Sequence, residues 1–232
     1  YACAAYNSTT GLVIISSKDL DVPHIRVQDT VDALGKIAYS YLREIRQYRE
    51  ANGLPFDVAG VTGSVGKTTT KDLTRQIFAS QGPTVAPQAS FNNEIGLPLT
   101  ILEADNDTRY LLLEMGASGP GHIAYLTDIA PLDVAAVLMV GHAHMGGFGS
   151  VEAVARAKSE IIQGLRSSGV AILNADDPRT MAMAELAPGP VFSFSPSGEP
   201  ANVRADDVVI GPDGRASSPP APLAPVPQSS YR

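Results

Sequence analysis

A single cysteine, Cys3, is all the thiol chemistry this 232-residue chain possesses. No internal disulfide can form, and such usage fits a reducing cytoplasm. Basic residues are also in short supply: 17 Lys and Arg against 24 Asp and Glu leave a net charge of −7. A phosphodiester backbone needs a basic footprint that this balance does not supply, which argues against nucleic acid as a main partner. No apolar run reaches membrane-spanning length, and no basic-then-apolar leader opens the chain. The first residue is Tyr1, and the sequence starts in mid-pattern, as a piece cut from something longer would. The 44% hydrophobic content can bury one substantial core and part of a second.

What is present begins with a loop. Residues 60 to 69 read G-V-T-G-S-V-G-K-T-T, after the short run Phe56 to Ala59 and before a helix-like stretch from Thr69. A strand, a glycine-rich turn and a helix in that order form a phosphate-binding loop, because inward-pointing N–H groups and the positive helix end meet at one spot. Gly63 and Gly66 leave room for phosphate oxygens, Lys67 supplies a point charge for the β and γ phosphates, and Thr68 offers a hydroxyl to magnesium. The expected nucleotide-binding segment is therefore Gly63, Ser64, Val65, Gly66, Lys67, Thr68 and Thr69. The general pattern would put its first glycine at Val61, whereas here it stands at Gly60. That departure points to a subfamily variant rather than an ordinary ATPase or GTPase.

Around this loop three regions separate by pattern. Residues 1 to 52 predict strands at Leu12–Ile15 and Ile25–Val27, then a helix capped by Asp29 or Thr30. Its buried face would carry Val31, Leu34, Ala38, Tyr41, Ile45 and Tyr48, and its solvated face Arg43, Glu44, Arg46 and Arg49. Asn52-Gly53-Leu54-Pro55 reads as a linker. From 56 to 195 strands alternate with helices: Asp57–Val61, helix Thr69–Ser80, Tyr110–Met115, helix His122–Ile129, Val134–Val140, helix Val151–Leu165, Val170–Asn174 and a short helix Pro178–Leu186. The apolar strands predict an α/β fold with a mostly parallel sheet covered by helices on both faces. In such sheets ligands bind at the carboxyl ends of the strands. From Gly211 a Pro, Ala and Ser-rich run has too few apolar anchors to pack and is expected to be disordered or polyproline-like.

Three strand ends or their surroundings carry candidate chemistry. Glu114 closes an apolar strand, where a carboxylate needs a counter-ion that magnesium beside the loop would supply. His142 and His144 lie in the glycine-rich stretch Val140–Ser150, where imidazole can ligate a metal or donate to phosphate. Lys158, on the following helix, reads by spacing alone as a solvated lysine.

These residues together resemble the Mur ligase family, and within it the members that add D-alanyl-D-alanine to a UDP-N-acetylmuramoyl-tripeptide. The resemblance rests on G-V-T-G-S-V-G-K-T-T-T-K-D, F-N-N-E-I-G-L-P-L-T (91–100), L-E-M-G-A-S-G-P-G-H-I (113–123), A-H-M-G-G-F-G-S (143–150), V-A-R-A-K-S-E-I (154–161) and I-L-N-A-D-D-P (172–178). These six motifs run in family order over nearly all of residues 12 to 195. The resemblance implies ATP and Mg2+ as cofactors, with Lys67 on the phosphates and Thr68 and Glu114 on one magnesium. It further implies His144 on a second magnesium, Lys158 as a carbamate supporting that ion, Asn174 near the adenine, and Asn92 with Asn93 on the muramoyl peptide. Lys67, Lys158 and His144 are the implied catalytic residues.

The implied reaction is amide formation through an acyl phosphate, in cytoplasmic peptidoglycan precursor synthesis, by a chain expected to be monomeric. Under the same resemblance residues 1–52 are a remnant of an N-terminal UDP-substrate-binding domain and residues 53–210 an incomplete central ATP-binding domain. Residues 211–232 form the tail, and the C-terminal ligase domain is absent, so the chain alone is expected to bind ATP yet fail to complete ligation. Other readings stay open: another muramoyl-peptide ligase or a folylpolyglutamate synthase, a non-catalytic ATP-binding fragment, or a plain P-loop hydrolase.

Overall fold

The computed structural model describes residues 2–7, 11–20, 24–141, 148–205, 209–210 and 216–217. Strands β1 (Ala2–Asn7), β2 (Gly11–Ser16) and β3 (Ile25–Arg26) form a small sheet, antiparallel between β1 and β2 and parallel between β2 and β3. Helix α1 (Thr30–Ala51) follows, capped by Asp29, whose carboxylate accepts the N–H groups of Val31 and Asp32. The linker expected at 52–55 falls in the turn after α1. Nevertheless Ala38 and Leu42 of α1 belong to the same apolar cluster as the strands that follow.

Those strands alternate with helices as the sequence predicts: β4 (Asp57–Thr62), α2 (Lys67–Ala79), β5 (Thr84–Val85), α3 (Gly96–Leu102), β6 (Tyr110–Glu114), α4 (His122–Ile129) and β7 (Leu132–Val137). Next come α5 (Val151–Gln163), β8 (Leu165–Asn174), α6 (Pro178–Met181) running into a 3-10 turn at Ala182–Leu186, β9 (Val191–Ser195) and β10 (Val203–Arg204). The seven strands β4 to β10 form one sheet in the order β10-β9-β8-β7-β4-β6-β5. Every neighbouring pair among them is parallel. A further pair, β11 (Val209–Ile210) and β12 (Ala216–Ser217), is antiparallel, and β12 falls inside the Pro, Ala and Ser-rich run. The short elements β5, α3 and β9 carry no strong periodicity and were not expected from the pattern.

Alternation along β6 divides the core. Leu111 and Leu113 enter the large cluster with α1, α3, α4 and α5, while Leu112 joins Ala59 and Ala86 in a small one on the opposite face, beside Phe78 of α2. The chain leaves β4 for the far edge, returns to β6 beside it, and then crosses to β7 on its other side. Strand order therefore reverses at β4, and the loop after β4 stands at the topological switch point where α/β sheets bind ligands.

Two glycines owe their identity to this packing. A Cβ on Gly60 would lie 2.6 Å from a Leu132 methyl and 3.4 Å from one of Ile161. The glycine one place ahead of the general loop pattern thus makes room for core side chains, not for phosphate. Gly164, which ends α5, faces Thr127 of α4 so closely that a Cβ would clash with the Thr127 Cβ itself.

Arg43 and Glu44 are exposed as expected, but the rest of that helix face is covered. Arg49 is buried, donating to the carbonyls of Asn106 (2.9 Å) and Pro55 (2.6 Å). Arg46 is largely covered and pairs with Asp133 at 2.9 Å. Tyr48, assigned to the buried face, is instead 46% exposed. The guanidinium groups can cross an apolar face because their forks satisfy loop carbonyls that packing would otherwise strand without donors. Asp133 also takes Arg166 at 2.9 Å and the Val58 N–H at 2.8 Å, closing the amino edge of the sheet with paired charge.

Gly164→Ala is expected to destabilise the fold by about 1–3 kcal/mol, since the Thr127 Cβ cannot move without the α4 backbone. A thermal melt several degrees below that of the parent protein checks this.

Candidate active site

The carboxyl edge of the sheet gathers most of the predicted residues. Register places Glu114 beside Val61, the penultimate residue of β4, and Val137 beside Thr62. The Thr62 hydroxyl donates to the Met115 carbonyl at 2.8 Å, and the Met115 N–H to Val61 at 2.9 Å, so β6 and the loop leave the sheet clamped together. On the other side the Ser64 N–H meets the Met139 carbonyl, and the Ser64 hydroxyl accepts the Gly141 N–H at 2.8 Å. Ser64 is buried by these contacts, whereas Val65 stands exposed at the loop tip.

Gly66 turns the chain into α2 at φ 83°, a left-handed conformation that only glycine adopts without strain. No side chain caps the helix, and its first turn carries no acidic residue. The N–H groups there and the positive dipole end are left for an anion. The Lys67 ammonium folds back to the Gly63 carbonyl at 2.9 Å, and Thr69 is exposed on the helix beyond.

Thr68 and Glu114 meet. The Thr68 hydroxyl donates to one carboxylate oxygen at 2.9 Å, and the Asn92 amide donates to the other at 2.9 Å. Glu114 is only 1% exposed, and among the described residues no cation pairs with it. A buried carboxylate held by neutral donors alone has unmet demand for positive charge. Hydroxyl and carboxylate oxygens are the donors magnesium prefers, and that ion keeps waters and phosphate oxygens for its other positions. Among the described residues no cluster of three His, Cys, Asp or Glu side chains exists.

Asn92 is expected on the substrate, but its side-chain nitrogen donates to Glu114, and its backbone carbonyl accepts the Gly116 N–H at 2.8 Å. Asn93 is exposed and uses its side-chain oxygen to accept the Gly96 N–H at 2.9 Å, opening α3. Ser90, which the sequence did not single out, reaches Thr68 at 3.2 Å. Asn174 spends its amide on the Leu138 carbonyl at 2.8 Å and its oxygen on the Asp176 N–H at 2.9 Å, so it ties the ends of β7 and β8 together. His144 and His142 lie outside the described residues.

Lys158 is not the solvated lysine that its spacing suggests. It is 5% exposed on α5, and its pKa is lowered to about 8, first by burial and second by the charge of Lys67. A primary amine with that pKa is in substantial part neutral and nucleophilic near pH 8. Spacing could not reveal this, because Lys67, whose charge acts on Lys158, is remote from it in sequence.

Comparison with known proteins agrees with this geometry. The Mur ligase middle domain matches residues 61–220, well over half of the chain. The chain is 46% identical over 182 residues to the UDP-N-acetylmuramoyl-tripeptide–D-alanyl-D-alanine ligase of Mycobacterium leprae (strain TN), a match covering 78% of this chain and 34% of that protein. MurF from Acinetobacter baumannii superposes with a TM-score of 0.76 at 33% identity, over 84% of this chain and 42% of that one. The MurF ligase of Thermotoga maritima, solved in complex with ADP, gives 0.72 at 34% identity, over 84% of this chain and 43% of that one. The chain thus spans between about a third and under half of the length of these relatives. With the loop, the strand order and the sequence in agreement, the chain belongs to the Mur ligase family and contains its middle domain.

Proposed function

We propose that this chain is the ATP-binding part of a ligase that joins D-alanyl-D-alanine to UDP-N-acetylmuramoyl-tripeptide in peptidoglycan precursor synthesis. The observation that carries the reading is the contact of Thr68 with the buried Glu114 at the open amino end of α2, beside Lys67. The names of the relatives and the ADP bound to one of them support it. Residues 1–52 belong on this reading to a UDP-substrate-binding domain, 53–210 to the central domain and 211–232 to a tail. The setting proposed is the cytoplasm, with the protein acting as a monomer.

The reaction must bring two anions together, the terminal carboxylate of the peptide and the ATP triphosphate. Lys67 leaves the Gly63 carbonyl and turns to the β and γ phosphates, which the first-turn N–H groups of α2 hold in place. Thr68 and Glu114 would hold magnesium, with His144 and a Lys158 carbamate serving a second ion. Magnesium, when bound, neutralises phosphate charge so that the carboxylate can approach. A carboxylate oxygen attacks the γ-phosphorus and ADP departs, leaving an acyl phosphate. The dipeptide amine then attacks the acyl carbon, loses a proton, and expels inorganic phosphate. Positioning and charge neutralisation carry most of the catalysis. Asn93, exposed beside this edge, is free to meet the peptide, and Asn174 holds the strand ends on which the adenine would rest.

The neutral fraction of Lys158 is what permits carbamate formation, since carbon dioxide reacts with the unprotonated amine. ADP release should depend on bicarbonate, and Lys158→Ala should abolish that dependence.

Titration calorimetry with ATP and magnesium should show binding that weakens about tenfold or more in Lys67→Ala, through loss of a charge-assisted contact. ADP release should require the UDP-linked tripeptide. Release from ATP alone would identify a plain hydrolase, and absence of nucleotide binding by the parent protein would overturn the proposal.

Burial of Lys158 also makes a stability prediction. The unfolded chain holds this proton up to about pH 10.5 and the folded chain up to about pH 8. Between those values the unfolded state binds more protons, so native stability rises with pH, and below about pH 8 the full penalty applies. In bicarbonate-free buffer, Lys158→Met should therefore stabilise the fold at pH 7 by as much as about 3 kcal/mol. In chemical denaturation that advantage should shrink as the pH is raised from 8 to 10.5.

A further inference from the structure

Among the described residues of α2, Lys71 alone is buried, and it is 0% exposed. Leu73 and Ile77 of the same helix are 57% and 65% exposed. The helix thus turns an ammonium into the protein and apolar side chains out, the reverse of what burial energetics favour. The Lys71 ammonium donates to the Pro87 carbonyl at 2.6 Å and pairs with Asp72 at 2.8 Å. An apolar side chain of similar length would avoid the desolvation of a cation, so the donor itself is what this position supplies.

The segment that Lys71 grips leads into the site. Pro87 begins a stretch without regular structure that continues to α3. Ser90 in that stretch touches Thr68, and Asn92 donates to Glu114. Thr68 and Lys71 are three apart on α2 and share a face, and their partners Ser90 and Pro87 are also three apart. The helix that presents the phosphate-binding residues therefore holds the segment at two points, one of them through a backbone carbonyl. We propose that Lys71 is a positioning residue, which fixes the 87–92 segment so that Asn92 and Ser90 hold Glu114 and Thr68 in the geometry that takes a magnesium-bound nucleotide. This rests on the nucleotide-binding reading above. Lys71 touches neither nucleotide nor metal, and it acts through the backbone between Pro87 and Asn92.

Lys71→Met keeps the bulk and removes the donor. Two readouts on the full chain test the idea. The first is hydrogen exchange without nucleotide at Gly116 and Leu97, whose N–H groups donate to the Asn92 and Asn93 backbone carbonyls; their protection should be lost in the variant while β4 and β6 stay protected. The second is the magnesium concentration at half-maximal ADP binding, which should rise about tenfold, the scale of losing a residue that orients a metal ligand. Nucleotide affinity in EDTA should remain as in the parent protein. Unchanged exchange at Gly116 and Leu97 overturns the proposal, as does an affinity loss equal with and without magnesium. If Lys71→Met does not fold, Lys71→Leu, which likewise lacks a donor, is judged by the same two readouts. Should the parent protein show no magnesium-dependent nucleotide binding, the nucleotide reading fails, and the exchange measurement still decides whether Lys71 holds the segment.

Discussion

A carboxylate buried without a cation organises the working end of this molecule. Glu114 sits at the last position of β6, level with Val61 near the end of β4, where the parallel register places it. Two neutral donors, the Thr68 hydroxyl and the Asn92 amide, satisfy one lone pair on each oxygen and leave the charge itself uncompensated. In low dielectric this asks for a positive partner, and the open amino end of α2 with Lys67 lies alongside. The phosphate-binding loop, the 87–93 segment and the end of β6 converge on one carboxylate.

The two edges of the sheet treat charge in opposite ways. At the amino edge Asp133 is shared by Arg46, Arg166 and the Val58 N–H, and Arg46 stacks over Phe56, with its charge compensated inside the protein. At the carboxyl edge Lys158 is buried beside another lysine, Lys67, and the α2 terminus has no side-chain cap. The first arrangement stabilises the fold. The second costs stability and leaves an uncapped helix end and, among the described residues, a carboxylate without a cation, the usual trade between activity and stability.

Local chemistry made much of this legible before any coordinates. The glycine-rich loop could be read because its glycines, lysine and threonine lie within a few residues of one another. The alternation of apolar runs with amphipathic stretches likewise announced a parallel α/β sheet, since burial on both faces leaves a local imprint. Arg49 was misassigned because helical periodicity reports polarity, and a guanidinium satisfying two carbonyls polls as polar while packing as interior. Lys71 passed unnoticed for the same reason. Gly60 looked like a displaced loop glycine until Leu132 and Ile161 were seen to fill the space over it.

The sequence by itself determined the alternation of the main strands and helices and the glycine-rich loop between β4 and α2, because these depend on neighbours along the chain. Only the tertiary structure decided that Thr68, Ser90, Asn92 and Glu114 touch, that Lys158 loses its solvent and that Lys71 holds the segment beside them. Each of those outcomes depends on groups at least 16 residues apart in sequence being brought together by the fold, and no local pattern encodes a distance set by strand register.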